Sequence, residues 1–266
     1  MRLSAVLAVR NEEPMLERGL ELLGFCDEIV VVVDSRSDDR TEEIARRHTD
    51  RVWVEDFVDF AAHKNAAIER AQGDWVLIVD ADERVTPALA REIQERLAGD
   101  PPEWGFEFEI VSFFLGQRMN HGGWQQHHLR LVRREHARWA GAIHERLSIP
   151  PERVGRLGEE LWHFSHRSIQ EMLAKTIRFG EVQSLEQFEQ GAPRVSPWRL
   201  ARLMLHEFAF RMLKRRGYKD GMPGVVESLY QPFSLFCVHV MLWQRQRGET
   251  LWDTYQALER QAAEHR

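Results

Sequence analysis

The stretch that most constrains this chain is Gly73-Asp74-Trp75-Val76-Leu77-Ile78-Val79-Asp80-Ala81-Asp82-Glu83, an apolar run that breaks off in three carboxylates. The run is too short for an ordinary buried helix and suits a strand covered on both faces. Strand side chains alternate, so Asp80 and Asp82 leave the strand end on one side, with Ala81 between them. Close carboxylates repel and raise each other's pKa unless a cation is shared between them. Hard oxygen ligands beside an open position suit Mg2+ or Mn2+, which also takes a substrate's phosphates. The plainer reading is an acidic strand-to-helix turn, with Thr86 capping a helix that has Pro87 at its first position.

The same pattern repeats along the first hundred residues. Leu3–Val9 is a continuous apolar strand, and Asn11 caps a helix carrying Pro14 and early Glu residues. Glu28–Val33 is a β-branched run ending at Asp34, and Thr41 starts a helix. Arg51–Val54 is a short strand, Phe60–Gln72 a helix stopped by Gly73, and Pro87 to about Leu97 another helix. Strands alternating with helices imply βαβ units in a parallel sheet, which binds ligands at the carboxyl ends of its strands. Asn11, Asp34, Asp80 and Asp82 all fall at such ends. After Gly99-Asp100-Pro101-Pro102, Gly105–Phe114 and Leu129–Val132 read as antiparallel structure added to the sheet, with Leu161–Ser165 as a further strand. From Ser168 the chain is helical, over about 168–190, 198–216, 225–247 and 249–264. The expected division is 1–165 and 166–266.

Composition removes several classes. The net charge of −6 argues against binding along nucleic acid. Cys26 and Cys237 stand far apart, which excludes a disulfide framework and fits a reducing compartment. The opening apolar run meets Arg10-Asn11-Glu12-Glu13 at once and reads as a strand, not a signal peptide. No stretch is read as the roughly 20 apolar residues of a membrane span. The expected location is cytoplasmic, with contact at the inner membrane face open.

Four motifs in order carry a resemblance: Ala8-Val9-Arg10-Asn11-Glu12-Glu13, Val32-Val33-Asp34-Ser35-x-Ser37-x-Asp39-x-Thr41, Lys64-Asn65, and Gly73-Asp74-Trp75 through Asp80-Ala81-Asp82-Glu83. Over residues 1 to about 165 the chain resembles the family 2 glycosyltransferases. Within them it is most like the lipopolysaccharide core β-1,4-glucosyltransferases, through Phe60-Ala61-Ala62-x-Lys64-Asn65, His121-Gly122-Gly123-Trp124, Leu129-Arg130-Leu131, His144-Glu145 and Gly217-Tyr218-x-Asp220-Gly221. The resemblance implies an α/β fold of the GT-A type, Rossmann-like and mostly parallel with an antiparallel addition, here followed by a C-terminal helical extension. It implies inverting transfer of a sugar, glucose from UDP-glucose being the first expectation, to a glycolipid or oligosaccharide acceptor of the lipopolysaccharide inner core. A polyprenyl-phosphate, capsule or protein acceptor, or a non-catalytic nucleotide-binding relative, is the alternative.

Carried over by position, Arg10 and Glu12 would line the base and ribose pocket, and Asp34 would accept the base N3–H. Lys64 would sit by the nucleotide, where relatives often carry Arg. Asp80 would lie by the ribose and metal, and Asp82 would bind the Mg2+ or Mn2+ that bridges the phosphates. Glu145 would take the acceptor hydroxyl's proton, with His144 the second candidate; without the resemblance, Glu145 reads as a loop carboxylate paired with Arg146. Trp124 would stack on an acceptor sugar or act as a core or lid residue. Arg130 would meet an acceptor phosphate or be a strand-edge charge. His127, His128, His163 and His166 read as surface or structural residues. Finally, Arg211, Lys214, Arg215, Arg216 and Lys219 form a basic cluster near the apolar helix Phe233–Trp243. That helix would either lie on an anionic membrane surface or pack against the catalytic domain or a second subunit of a homodimer.

Overall fold

The computed structural model describes residues 2–140, 146–165, 168–248 and 250–264. Its strands are β1 (Leu3–Val9), β2 (Glu28–Asp34), β3 (Val52–Glu55), β4 (Trp75–Ile78), β5 (Glu83–Val85), β6 (Gly105–Phe114), β7 (Gln117–Arg118), β8 (Gln126–Arg133), β9 (Trp139–Ala140), β10 (Arg146–Leu147) and β11 (Val154–His163). Its α-helices are α1 (Glu13–Glu21), α2 (Thr41–His48), α3 (Phe60–Arg70), α4 (Pro87–Ala98), α5 (Ile169–Glu189), α6 (Pro197–Ala209), α7 (Gly221–Gln246) and α8 (Leu251–Glu264). The chain divides into two compact units, Met1–Arg118 with Trp124–Ser165, and Met119–Gly123 with His166–Arg266.

In the first unit one sheet runs β3-β2-β1-β4-β8-β6-β11-β5, with β7 paired to β6. β3, β2, β1 and β4 are parallel; β8 then enters antiparallel between β4 and β6. This is the mixed α/β sheet, parallel in its first half, that the strand order implied.

Alternation along β1 divides the core into two layers. Leu3, Ala5, Leu7 and Val9 face Leu16 and Leu20 of α1 and Leu89, Ile93 and Leu97 of α4. Val6, with Val30, Val32, Val76 and Ile78, faces Ala67 and Ile68 of α3. Covering on both faces explains why these strands read as unbroken apolar runs.

Gly73 lets β4 come in beside β1: a Cβ there would lie 2.8 Å from Ser4 N and 2.9 Å from Arg2 O. Both are backbone atoms and cannot swing aside. Gly73→Ala is therefore expected to destabilise the protein by about 1–3 kcal/mol, the usual cost of overpacking, measured by chemical denaturation.

Several local details differ from the sequence reading. β11 begins at Val154, not Leu161, because Gly155, Gly158 and a run of charges hide its alternation; Gly155 is needed where the Phe106 ring would stand 2.5 Å from a Cβ. Glu83–Val85 is a three-residue strand on β11 and not only a turn. Asn11 does not cap α1. It adopts φ 52° and exchanges hydrogen bonds with Asp38, donating from Nδ2 at 2.7 Å and accepting Asp38 N–H at 3.0 Å.

In the second unit α7 packs against α5 and α6. By length and composition Gly217–Gln246 is long and apolar enough to cross a membrane, contrary to the sequence reading. Here it buries Val238, Leu242 and Glu227, the last paired with Arg211 at 3.0 Å.

Candidate active site

The carboxyl ends of β1, β2 and β4 gather most of the charged residues singled out in the sequence. Asp34 closes β2 and is 2% exposed. Arg36 grips it, donating from Nη2 to Oδ2 at 2.6 Å and from Nε to Oδ1 at 3.0 Å, and adds its backbone N–H at 2.9 Å. Arg10 stands 3.9 Å away, half-exposed. The Arg36 hydrogen bonds hold the Asp34 carboxyl below the usual range, against the effect of burial. Arg36 itself lies over the Phe57 ring at 4.6 Å. Glu12 anchors the start of α1, its N–H donating to Thr41 Oγ1 at 2.8 Å.

β4 ends at Ile78, and the acidic segment after it forms a turn whose carboxylates have different jobs. Glu83 is 1% exposed; its Oε2 accepts Asp80 N–H at 2.8 Å and its Oε1 accepts Arg130 Nη2 at 2.9 Å. Arg130 Nη2 also donates to Asp80 Oδ2 at 2.9 Å. Arg130 is thus an internal brace and not an exposed strand-edge charge. Its Nη1 is buried with no hydrogen-bond partner among the described residues. Burial pushes the Glu83 carboxyl up to about 7. Burial pushes Asp80 the same way, but Arg130 and then Lys64 reverse it and hold that carboxyl well below its ordinary value. Lys64, on α3, also lies over the Trp139 ring at 4.7 Å.

Asp82 pairs instead with His163 at the end of β11: Nε2 stands 3.3 Å from Asp82 Oδ2. Burial opposes charge on that ring, but the Asp82 carboxylate outweighs it and raises the His163 pKa. His163 had been read as structural. The signal that reveals it is the pairing of β5 with β11, which sets His163 opposite Glu83.

No cluster of three His, Cys, Asp or Glu side chains forms a ready metal cage among the described residues. The donor chemistry still fits a hard divalent ion, because Mg2+ commonly takes one or two carboxylates and completes its shell with water and substrate phosphates. Asp80 is ionised, and Asp82 carries its carboxylate beside an imidazole.

Lys64's neighbour Asn65 ties α3 to β9. Its Nδ2 donates to Trp139 O at 3.0 Å, and its Oδ1 accepts Trp139 N–H at 2.9 Å. β9 pairs with β10, Trp139 opposite Leu147. His144 and Glu145 lie outside the described residues. Trp124 is half-buried, its ring 6.3 Å from Phe114; His127 and His128 are exposed on β8.

In the second unit two distant motifs meet. Asp220, 3% exposed, accepts Asn120 N–H at 2.9 Å, His121 N–H at 2.7 Å and the His121 ring Nδ1–H at 2.8 Å. Gly217 and Gly224 allow the close turn that presents it: a Cβ on Gly224 would lie 2.0 Å from Gly217 O.

The profile described as Glycosyl transferase family 2 matches residues 4–135. The chain is 28% identical to the lipopolysaccharide core biosynthesis glycosyltransferase LpsC of Rhizobium meliloti, over 91% of this chain and 92% of that protein. It is 26% identical to an uncharacterized glycosyltransferase of Rickettsia bellii, over 88% of this chain and 84% of that one. Among solved structures, the mannosyltransferase PcManGT of Pyrobaculum calidifontis, in complex with GDP-Man and Mn2+, aligns over 98% of this chain and 79% of that one at 16% identity, with a TM-score of 0.46.

Proposed function

We propose, for a chain that carries a glycosyl transferase family 2 domain over residues 4–135, that it transfers a sugar, glucose first, from a nucleoside diphosphate donor to a lipopolysaccharide inner-core acceptor with inversion. The observation that supports this most is the placement of Asp34 at the end of β2 and of Asp80 and Asp82 after β4, the two strands that flank β1, with Arg10 beside Asp34 and Lys64 acting on Asp80. The similarity to a lipopolysaccharide core enzyme suggests the acceptor.

In this reading Asp34 accepts the base N3–H. A carboxylate offers about four lone-pair sites, and Arg36 occupies much of Asp34, so base entry requires Arg36 to swing off; its half-exposed side chain is able to do so. Asp80 and Asp82, with His163 in reserve, hold Mg2+ or Mn2+. The bound ion supplies Lewis-acid stabilisation of the departing diphosphate. Arg130 keeps Asp80 ionised and aimed. Glu145 accepts the acceptor hydroxyl's proton as the new C1–O bond forms and the nucleoside diphosphate leaves, a general-base role. The test is release of nucleoside diphosphate across a panel of sugar nucleotides with Mn2+ or Mg2+. Core oligosaccharide from a deletion strain, analysed by mass spectrometry, tests the acceptor; an unaltered core rejects it.

Asn65 has a measurable part in this scheme, because it fixes the strand that leads into residues 141–145. Asn65→Ala removes both hydrogen bonds to Trp139, about 2 kcal/mol at roughly 1 kcal/mol each. The expected result is a fall in kcat of tenfold or more with donor KM unchanged, read by steady-state kinetics.

A further inference from the structure

All four α-helices of the second unit expose apolar side chains, and the charges around them differ. α5 exposes Ile177, Phe179 and Leu185 among charges of both signs, Arg178 with Glu181, and α8 exposes Trp252, Tyr255 and Leu258 among Asp253, Glu259 and Arg260. α6 is unlike both. Trp198, Arg202, Leu205 and Ala209 recur at i, i+4, i+7 and i+11, the spacing of one helical face, and all four are exposed. Trp198 is 78% exposed, Leu205 67%, and Leu213, in the wider turn that follows α6, 64%.

Cations flank this strip. From Arg194 to Lys219 the sequence has eight Lys and Arg residues and one carboxylate, in a chain whose net charge is −6. That carboxylate, Glu207, is only partly exposed and is held by Arg211 at 2.6 Å. No exposed residue between Arg194 and Lys219 is therefore acidic. The opposite face of α6 is already used, packing on α7.

The geometry points to α6 as a surface that lies flat on an anionic lipid bilayer, with Trp198, Leu205 and Leu213 entering the headgroup boundary and Arg202, Lys214 and Arg216 over the lipid phosphates. A helix with this division binds in the interface plane through its buried apolar area plus attraction to anionic lipid. Trp is favoured there because its ring is apolar and its N–H is wet. The sequence reading left the apolar run of α7 either on a membrane surface or packed against protein. α6 fits the role better, since α7 buries Tyr230, Val238 and Leu242 and its exposed Met222, Leu229, Phe233 and Trp243 are spread along the helix and less exposed, Met222 apart, than Trp198 and Leu205.

The test is co-sedimentation of the whole chain with vesicles of phosphatidylcholine alone and of phosphatidylcholine mixed with phosphatidylglycerol. It uses no sugar nucleotide, so its result is independent of the proposed activity. Binding is expected only to the mixed vesicles, and to weaken as salt shortens the range of the attraction. The double variant Arg202→Glu/Lys214→Glu should lower partitioning by roughly 30-fold or more, at about fivefold for each cation lost. Trp198→Ser/Leu205→Ser should lower it at least tenfold. All four side chains are exposed, so thermal unfolding should be unchanged; a variant that fails that control is replaced by Leu213→Ser/Lys214→Gln. Equal binding to both vesicle types, no binding to either, or indifference to these substitutions overturns the proposal. So does a dimer in sedimentation equilibrium that Trp198→Ser dissolves without any vesicle binding, which would make the face a contact between copies.

Discussion

Replacing Asp82 with Asn is expected to reduce sugar transfer by about 10³-fold while leaving the fold intact. The carboxylate is 16% exposed and its only charged neighbour at close range among the described residues is His163, at 3.3 Å. An amide of the same shape keeps the packing but offers a single neutral oxygen. A bound divalent ion contributes several kcal/mol to stabilising the departing diphosphate, and about 4 kcal/mol corresponds to that factor in rate. Steady-state kinetics at saturating Mn2+ give the comparison, with thermal unfolding as the fold control. Turnover equal to that of the unmodified protein would remove Asp82 from the mechanism.

The second large effect is on stability. Arg130→Met leaves Glu83, 1% exposed, without its cation. Breaking a buried ion pair from one side typically costs 3–5 kcal/mol, because the remaining carboxyl must either stay charged without a partner or take up a proton to stay buried. Denaturant unfolding at neutral pH should show a loss of about that size. The double variant Arg130→Met/Glu83→Gln should recover about 2 kcal/mol or more, since the amide still accepts Asp80 N–H and carries no charge to strand. A double variant as unstable as the sum of its parts would mean that Arg130 stabilises through packing and not through Glu83. Activity should stay low in both, because each also frees Asp80 of the Arg130 contact at 2.9 Å.

What the sequence revealed and what it hid follow from the range of the interactions involved. The parallel strands were legible because double covering writes burial into contiguous residues, as in Val30–Val33. Asp34, Asp80 and Asp82 were legible because a strand end is a local signal. Arg36, adjacent to a motif residue, was passed over: nothing in its spacing says that a half-exposed arginine folds back onto Asp34. The partners of His163 and Arg130 were hidden for a different reason. Their partners lie 81 and 50 residues away for Asp82 and Asp80, and they meet only through β11 pairing with β5 and β8 pairing with β4. The link between Asp220 and the Asn120-His121 backbone is likewise invisible to any local pattern, although both segments had been singled out. Composition sees the apolarity of α7 but not that Val238 and Leu242 are covered by its neighbours.

The central claim is that a divalent ion and the donor's diphosphate share one site built on Asp80 and Asp82. Mn2+ binding followed by the electron paramagnetic resonance signal of the free ion, with and without UDP, tests it directly. The expected result is that UDP tightens Mn2+ binding and that Asp82→Asn abolishes the gain; Mn2+ affinity indifferent to UDP, or a gain that survives in Asp82→Asn, would contradict it.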